Sequence, residues 1–517
     1  MSAPRQLFPL LLIAYLGLVL ALRTFGAAGG SIDDSEQLLY SQSWAWAYGA
    51  FNPPGPTWLT RALQILLGPS LLSVTLPKFL WLGVTVLAFY ACARRLLREP
   101  AHARMATLWL AGIYYISWEC VQNYSHSVQV LAVSMLSVWQ VLRMRRARNL
   151  GAYAVFGALC ALGLLSKFNF AVLMAALLMA SARVPAYRAL LLDRRLALSV
   201  AVCLILLAPV LWAQWALLST QMVATQHKFA IAPAWSAGLA LSGALSAAKG
   251  LASWLSPLLV FVALGMPRAV VGAAPQAPVP APDGGDLVED ERWLRYVGGG
   301  ILLVVTLLVL GSRAAEARTH YFQIAVPLVL WLAVRAELAQ ASLPRWRLVT
   351  GLSLTLAVVS PALLGLELAG VANITGRSRL TVPYAALASA LQANGFQQGV
   401  VVSHDWPHAL SGNLRPWLAG GQFFSLAHPD YRPPLPAAAG QCLLLWQTGE
   451  RPAALNSAPP DFKPLLAGIA QDPPGVRYGQ LALKTRGRAG TTVGIGWALW
   501  PTRSQCLALM NPQAPAP

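Results

Sequence analysis

The chain has 517 residues, 56% of them hydrophobic and only 11% charged, against roughly 25% charged in an ordinary soluble domain. Apolar runs that approach the thickness of a bilayer recur along it, which excludes a soluble globular protein and predicts a polytopic membrane protein. The net charge of +19 does not point to nucleic acid, because the basic residues sit in short loops between apolar runs rather than on one face.

The first apolar run, 7–25, is followed at once by Asp33 and Asp34, which open the segment DDSEQLLYSQSWAWAYGAFNPPGPTWL. A carboxylate costs about 2.5–3.5 kcal/mol at the centre of an inserted helix, so an acidic pair beside a span marks a candidate site. The ordinary alternative is that the pair caps a helix beginning at Ser35. Trp44, Trp46, Tyr48 and Trp58 in the same segment fit either an interfacial aromatic belt or a sugar platform. Residues 1–30 resemble a signal peptide in having Arg5 before an apolar stretch and the small residues AAGG, but Arg23 interrupts the cleavage region and favours a retained span.

Further along, the segments 94–104, 143–148 and 183–195 each hold four arginines, while the loops between them hold few or none. Arginine-rich loops are cytoplasmic. Alternation from a cytoplasmic N-terminus then predicts eleven spans near 7–25, 78–93, 105–119, 127–142, 150–165, 168–182, 196–215, 251–266, 297–311, 321–335 and 348–368, leaving the C-terminus outside. The stretch 267–296, with its AAPQAPVPAP spacer and the acidic DLVEDE, reads as a cytoplasmic loop. No internal repeat is evident, which argues against a transporter fold.

From about Asn373 to Pro517 the composition is that of a soluble α/β domain. Thr381 is predicted to cap a helix that carries Tyr384, Leu387 and Leu391 on one face and closes at Gly395. Strands are predicted over 399–403, 442–446 and 491–500. The domain holds eleven Lys and Arg against five Asp and Glu, which suits an anionic glycolipid. Cys442 and Cys506 are its two cysteines and form either one disulfide or two free thiols; Cys92, Cys120, Cys160 and Cys203 fall in or beside spans as packing residues.

This topology gathers the unusual polar residues on the exterior face: Asp33 and Asp34, then Glu119, Asn123 and His126, then Lys167, then His227 and Lys228, then Arg313, Arg318, His320 and Tyr321. Carboxylates with cations at a membrane surface suit a reaction in which a base works near a departing phosphate. Lys167 is equally read as a snorkelling interfacial lysine, and His126, like His227 with Lys228, as a satisfied polar residue. The sequence has no HExxH, GxGxxG or GxxxxGK motif, so it lacks the signatures of a zinc protease, a dinucleotide enzyme or an NTP-driven machine.

Asp33-Asp34 with Tyr40-Ser41-Gln42, Trp46-Ala47-Tyr48 and Asn52-Pro53-Pro54 resembles the first exterior loop of C-fold glycosyltransferases of the protein mannosyltransferase-like type. These include lipid A aminoarabinose transferases and galacturonosyltransferases of rhizobial lipopolysaccharide. Leu165-Ser166-Lys167-Phe168 and Arg318 to Pro327 (RTHYFQIAVP) are similar to two further segments of that family, and the likeness covers roughly residues 30 to 335. It implies a GT-C type bundle of about eleven transmembrane helices, with a catalytic first exterior loop 29–77 within residues 1–372. Residues 373–517 would form an extracytoplasmic α/β domain on the periplasmic side of a bacterial inner membrane.

It further implies an enzyme moving a sugar from a polyprenyl-phosphate donor to an envelope acceptor (a glycolipid, another glycan or a protein) with inversion at the anomeric carbon. Asp33 would be the general base, with Asp34 standing where the family has Glu. Lys167 and Arg318 would bind the lipid phosphate, and His320, Tyr321, Tyr40, Asn52, Lys78 and His126 would line the substrate site. Ser125-His126-Ser127 stands where relatives carry an Asp before the fourth span, so no cofactor is required by the resemblance and a divalent cation is left open. The competing classes are a polytopic lipid or solute transporter and an anchored scaffold. A transporter would bury charges at mid-span, and eleven spans exceed what an anchor needs.

Overall fold

A computed structural model describes residues 3–49, 52–218, 231, 234–272, 279–282, 286–314, 316–372, 374, 379–404, 409–435, 440–448, 458–467, 475–487 and 492–510. The chain forms two compact units, each assembled from separated stretches. Residues 1–17, 50–55 and 78–360 make the first, and 18–49, 56–77 and 361–517 the second.

Among the described residues six helices are long and apolar enough to cross a membrane: Leu7–Gly26, Leu71–Leu96, Ser125–Met144, Leu196–Trp215, Leu287–Ser312 and Leu343–Leu368. A seventh is added if Thr319–Ala325 and Pro327–Leu338, bent by 55°, count as one span, and Leu150–Ser166 and Phe170–Arg183 are shorter apolar helices. Helices dominate because a backbone in hydrocarbon must satisfy its own hydrogen bonds.

Three expected spans are not continuous helices. The 105–119 stretch is divided among the helix Pro100–Leu108, a 3₁₀ turn Trp109–Gly112 and a π-helical turn Tyr115–Glu119. The break falls at Ile113, which turns extended and bridges Pro257. The 251–266 stretch is cut at the same Pro257, between Ala237–Leu255 and Leu258–Gly265, since proline supplies no N–H and crowds the preceding turn. Pro327 likewise opens the helix that follows the turn Thr319–Ala325.

The acidic stretch assigned to a loop is in fact helical. Asp286 caps the helix Leu287–Ser312 through the Val288 N–H, and Glu289 and Asp290 fall in its first turn, where the helix dipole favours negative charge. Asp290 is buried, pairs with Arg145 and accepts the Tyr187 hydroxyl at 2.5 Å. Glu291, also buried, accepts from Trp331 Nε1 at 2.9 Å, with Arg335 at 3.9 Å. His102 Nδ1 meets Glu337 at 2.6 Å, with Trp346 stacked on its imidazole at 4.5 Å. Arg145 of the arginine-rich loops and Arg335 near them are thus paired with buried carboxylates, and a buried charge costs least when paired in this way.

The second unit is built on a five-stranded sheet. Its strands are β1 (Gly399–Ser403), β2 (Gly421–Ser425), β3 (Gln441–Gln447), β4 (Arg477–Lys484) and β5 (Thr492–Trp500), in the order β2-β1-β3-β5-β4. β1 runs parallel to β2 and β3, whereas β5 is antiparallel to β3 and β4. Central β1 is buried at every residue and reads GVVVS, while edge β4 is mostly exposed, as fully covered and edge strands should be. Cys442 on β3 and Cys506 form a disulfide, with Cα atoms 5.4 Å apart, that fastens the helix Ser504–Met510 to the sheet. Thr381 is not the cap of the first soluble helix. It ends a 3₁₀ turn, and the helix Tyr384–Ala393 starts after Pro383, where the proline restricts the residue before it to extended backbone. Gly395, at φ +101°, does close the helix.

Candidate functional site

The acidic pair lies on a helix of the second unit, Ile32–Tyr40, called here the Asp helix. It begins three residues earlier than the expected start at Ser35. Ser31 is its cap: the Ser31 hydroxyl accepts from Asp34 N–H at 3.3 Å, and Asp34 Oδ2 accepts from Ser31 N–H at 3.0 Å. This reciprocal box satisfies two of the N–H groups that a helix start leaves open. Asp34 is fully buried and its Oδ2 also receives Arg23 Nη2 at 2.5 Å. One member of the acidic pair is therefore built into the scaffold. Asp33, one residue earlier in the same turn, is half-buried.

Tyr40, at the other end of the Asp helix, is a core residue. It packs on Tyr48 (ring centroids 5.6 Å) and Tyr431 (5.2 Å), and its hydroxyl lies 2.9 Å from His428 Nδ1. Burial, then the carboxylates of Glu36 and Asp430, hold its phenol well above the usual range, so it stays neutral. Trp44 and Trp46 are exposed, and Trp58 meets Trp46 edge-on.

The remaining candidates belong to the first unit, at the end opposite the arginine-rich loops. Lys78 is buried and its ammonium donates to the Gln122 carbonyl at 3.4 Å. Lys167 is extended at the end of helix Leu150–Ser166. It donates to Ser127 Oγ at 2.9 Å and lies 5.3 Å from the centre of the Tyr321 ring. Two lysines therefore bracket the short segment Gln122–Ser127. Within it His126 is buried, with Nδ1 3.3 Å from the Ser166 carbonyl. His320 packs on Tyr124 (5.5 Å) and Tyr321 (4.3 Å), and exposed Arg318 precedes the turn that carries both. Asn52 is half-buried in the stretch leading to Gly55, where an added Cβ would come within 2.6 Å of the Leu165 carbonyl. That close approach brings the Asn52 stretch against the end of the Lys167 helix.

Sequence reasoning missed Tyr124 and Asn169. Tyr124 has φ +65°, a conformation that costs a non-glycine residue of order 1–3 kcal/mol and clusters at functional sites. Asn169 donates to the Tyr321 carbonyl at 2.8 Å and fixes the turn beneath Lys167. Neither backbone strain nor a cross-chain amide contact has a sequence signature, although both residues flank named candidates. His227 and Lys228 lie outside the described residues. Among the described residues no group of three or more His, Cys, Asp or Glu is arranged to hold a metal ion, and Asp34, turned to Arg23, does not join Asp33 in a two-carboxylate ligand set.

Residues 52–213 match the family described as dolichyl-phosphate-mannose-protein mannosyltransferase. In three dimensions the chain is similar to ArnT from Cupriavidus metallidurans, solved bound to undecaprenyl phosphate, with a TM-score of 0.62 over 94% of this chain and 97% of that one at 12% identity. The apo form of the same protein gives 0.58. The matched segment, the curated relatives and the fold together support a glycosyltransferase similar to the C-fold, protein mannosyltransferase-like type. Its similar curated sequences are two lipopolysaccharide core galacturonosyltransferases of Rhizobium johnstonii. RgtB is 26% identical across 87% of this chain and 89% of its own length, and RgtA 27% identical across 95% and 96%.

Proposed function

We propose that this enzyme transfers a sugar from a polyprenyl-phosphate carrier to the core of an envelope lipopolysaccharide, with inversion at the anomeric carbon. Lys167 carries the reading: a cation held between Ser127 Oγ and the Tyr321 face, in a chain similar over nearly its full length to two galacturonosyltransferases. Lys167 and Arg318 neutralise the phosphate as the glycosidic bond breaks, and Lys78 supports the segment Gln122–Ser127 beside Lys167; charge stabilisation of this kind is often the largest catalytic term. Asp33 takes the proton of the acceptor hydroxyl as it attacks, an effect worth about 10²–10⁴-fold. His126, His320, Tyr321 and Asn52 shape the donor pocket.

The carrier explains the architecture. Withdrawing a polyprenyl chain from lipid costs about 0.8 kcal/mol per CH₂, so the enzyme must work at the bilayer surface. The bundle of about eleven spans sits in the bacterial inner membrane, with the domain 373–517 in the periplasm. The test is transfer by purified protein in nanodiscs, given undecaprenyl-phosphate galacturonic acid and lipopolysaccharide lacking outer core sugars. Release of undecaprenyl phosphate together with a one-sugar mass gain on the acceptor is expected. Passage of the donor across the bilayer without transfer would overturn the proposal.

A further inference from the structure

The Asp helix is held at three points by one short segment near the other end of the sequence. This segment, Ala409 to Arg415, surrounds the helix Leu410–Leu414 that links β1 to β2. At the N-terminal end of the Asp helix, Asn413 Oδ1 accepts from Gly30 N–H at 2.6 Å, while its Nδ2 donates to the Gly30 carbonyl at 3.3 Å. In the middle, Ser35 Oγ donates to the Ala409 carbonyl at 3.0 Å. Gly412 lies so close there that an added Cβ would collide with the Ser35 carbonyl. At the C-terminal end, the Arg415 guanidinium donates to the Leu38 carbonyl, to Ser41 Oγ at 3.0 Å and to the Ser41 carbonyl at 3.3 Å.

Ala409 is held at φ +54°, a left-handed conformation that costs an L-residue roughly 1–2 kcal/mol, and its carbonyl receives both Ser35 and Asn413 Nδ2. Arg415 is buried, and that burial lowers its guanidinium to about 10, so it is charged at neutral pH and spends its donors on the orphan carbonyls of the Asp helix. A helix of nine residues is too short to hold its own direction in water. Its tilt, and with it the position of Asp33 in its first turn, is set from outside.

We infer that Asn413 and Arg415 are positioning residues for glycosyl transfer: the Ala409–Arg415 segment is a clamp that fixes the orientation of Asp33 through the helix that carries it. The inference rests on the role of Asp33 in the proposed function. A displacement of about 1 Å at a reacting group can cost about 10²-fold.

The test compares Asn413→Ala, Asn413→Asp and Arg415→Lys with wild type in donor-saturation kinetics. Asn413→Asp keeps the acceptor for Gly30 N–H and loses the donors; Arg415→Lys keeps charge and loses the planar fork. We expect kcat to fall about 10-fold or more in Asn413→Ala and less in Asn413→Asp, with the donor KM within about twofold, because orientation is lost and donor binding is not. A second readout needs no activity: in an Asp33→Cys background, adding Asn413→Ala or Arg415→Lys should change the alkylation rate of the thiol several-fold while the Cys442–Cys506 disulfide still forms. Wild-type kcat in both clamp variants, or an unchanged alkylation rate, overturns the clamp. If wild-type protein transfers no sugar but the alkylation rate responds, the assigned function fails and the clamp stands.

Discussion

Asp34→Asn separates the two carboxylates by what each loses. Asp34 and Arg23 are both fully buried and meet at 2.5 Å, and Glu367, also buried, acts on the same guanidinium. Asparagine can still accept from Ser31 N–H, so the helix cap survives and only the charge is removed. Removing one partner of a buried ion pair costs about 3–5 kcal/mol, because the other charge stays in low dielectric; Glu367 compensates part of it, which favours the lower end. For a cooperative unit of 150–250 residues each kcal/mol lowers the melting temperature by about 2–4 °C, so a fall of roughly 6–12 °C is expected. The assay is detergent-solubilised protein heated and scored by fluorescence-detected size exclusion, with transfer measured on the folded fraction. Adding Arg23→Met should recover part of the loss, though not all, since Glu367 then lacks its cation. Wild-type melting with transfer abolished would refute the argument, placing Asp34 in the chemistry and not in the scaffold.

Asp33→Asn should do the opposite, melting near wild type while kcat falls about 10²-fold or more; retention of wild-type transfer removes Asp33 from the mechanism. Lys167→Ala should raise the donor KM with little change in melting, measured by donor titration, whereas unchanged donor affinity would leave the phosphate without this ligand. Replacing both Cys442 and Cys506 by Ala opens a loop with a sequence separation of 64. Chain-entropy arguments give a loss of about 4 kcal/mol, visible as a lowered melting point that reducing agent reproduces in the wild type. Topology is checked with single cysteines at exposed Thr502 and Ala147. The first should be labelled from outside and the second only from the cytoplasm, and the reverse pattern overturns the orientation.

Legibility followed how local the signal was. Spans such as 196–215 and strands such as 399–403 are written in uninterrupted apolar runs and fall where expected. Strands β2 and β4 were missed because GQFFS has only two apolar residues and no β-branched run where GVVVS has three valines, and RYGQLALK is too polar on an exposed edge to stand out. The broken segments at Pro257 and Pro327 show that hydropathy measures length and not continuity. Among the candidate residues, Asp33, Lys167 and Arg318 stood out as rare charges beside spans. The burial of Asp34 against Arg23 did not, since the two are eleven positions apart in sequence and no local pattern pairs them. Tyr40, which the resemblance implied would line the substrate site, packs in the core of the second unit, because the sheet that covers it is encoded some 360 residues later.

The bond between Gly30 and Asn413 spans 383 positions, and that separation sets an order of events during synthesis. At about 5–20 residues per second, the ribosome needs roughly 20–80 s after releasing the Asp helix to supply its clamp. Throughout that interval the acidic turn lacks its contacts with Ala409, Asn413 and Arg415. If Asp33 acts as proposed, activity waits for the completion of the second unit, and a chain truncated before residue 415 should insert without transferring sugar.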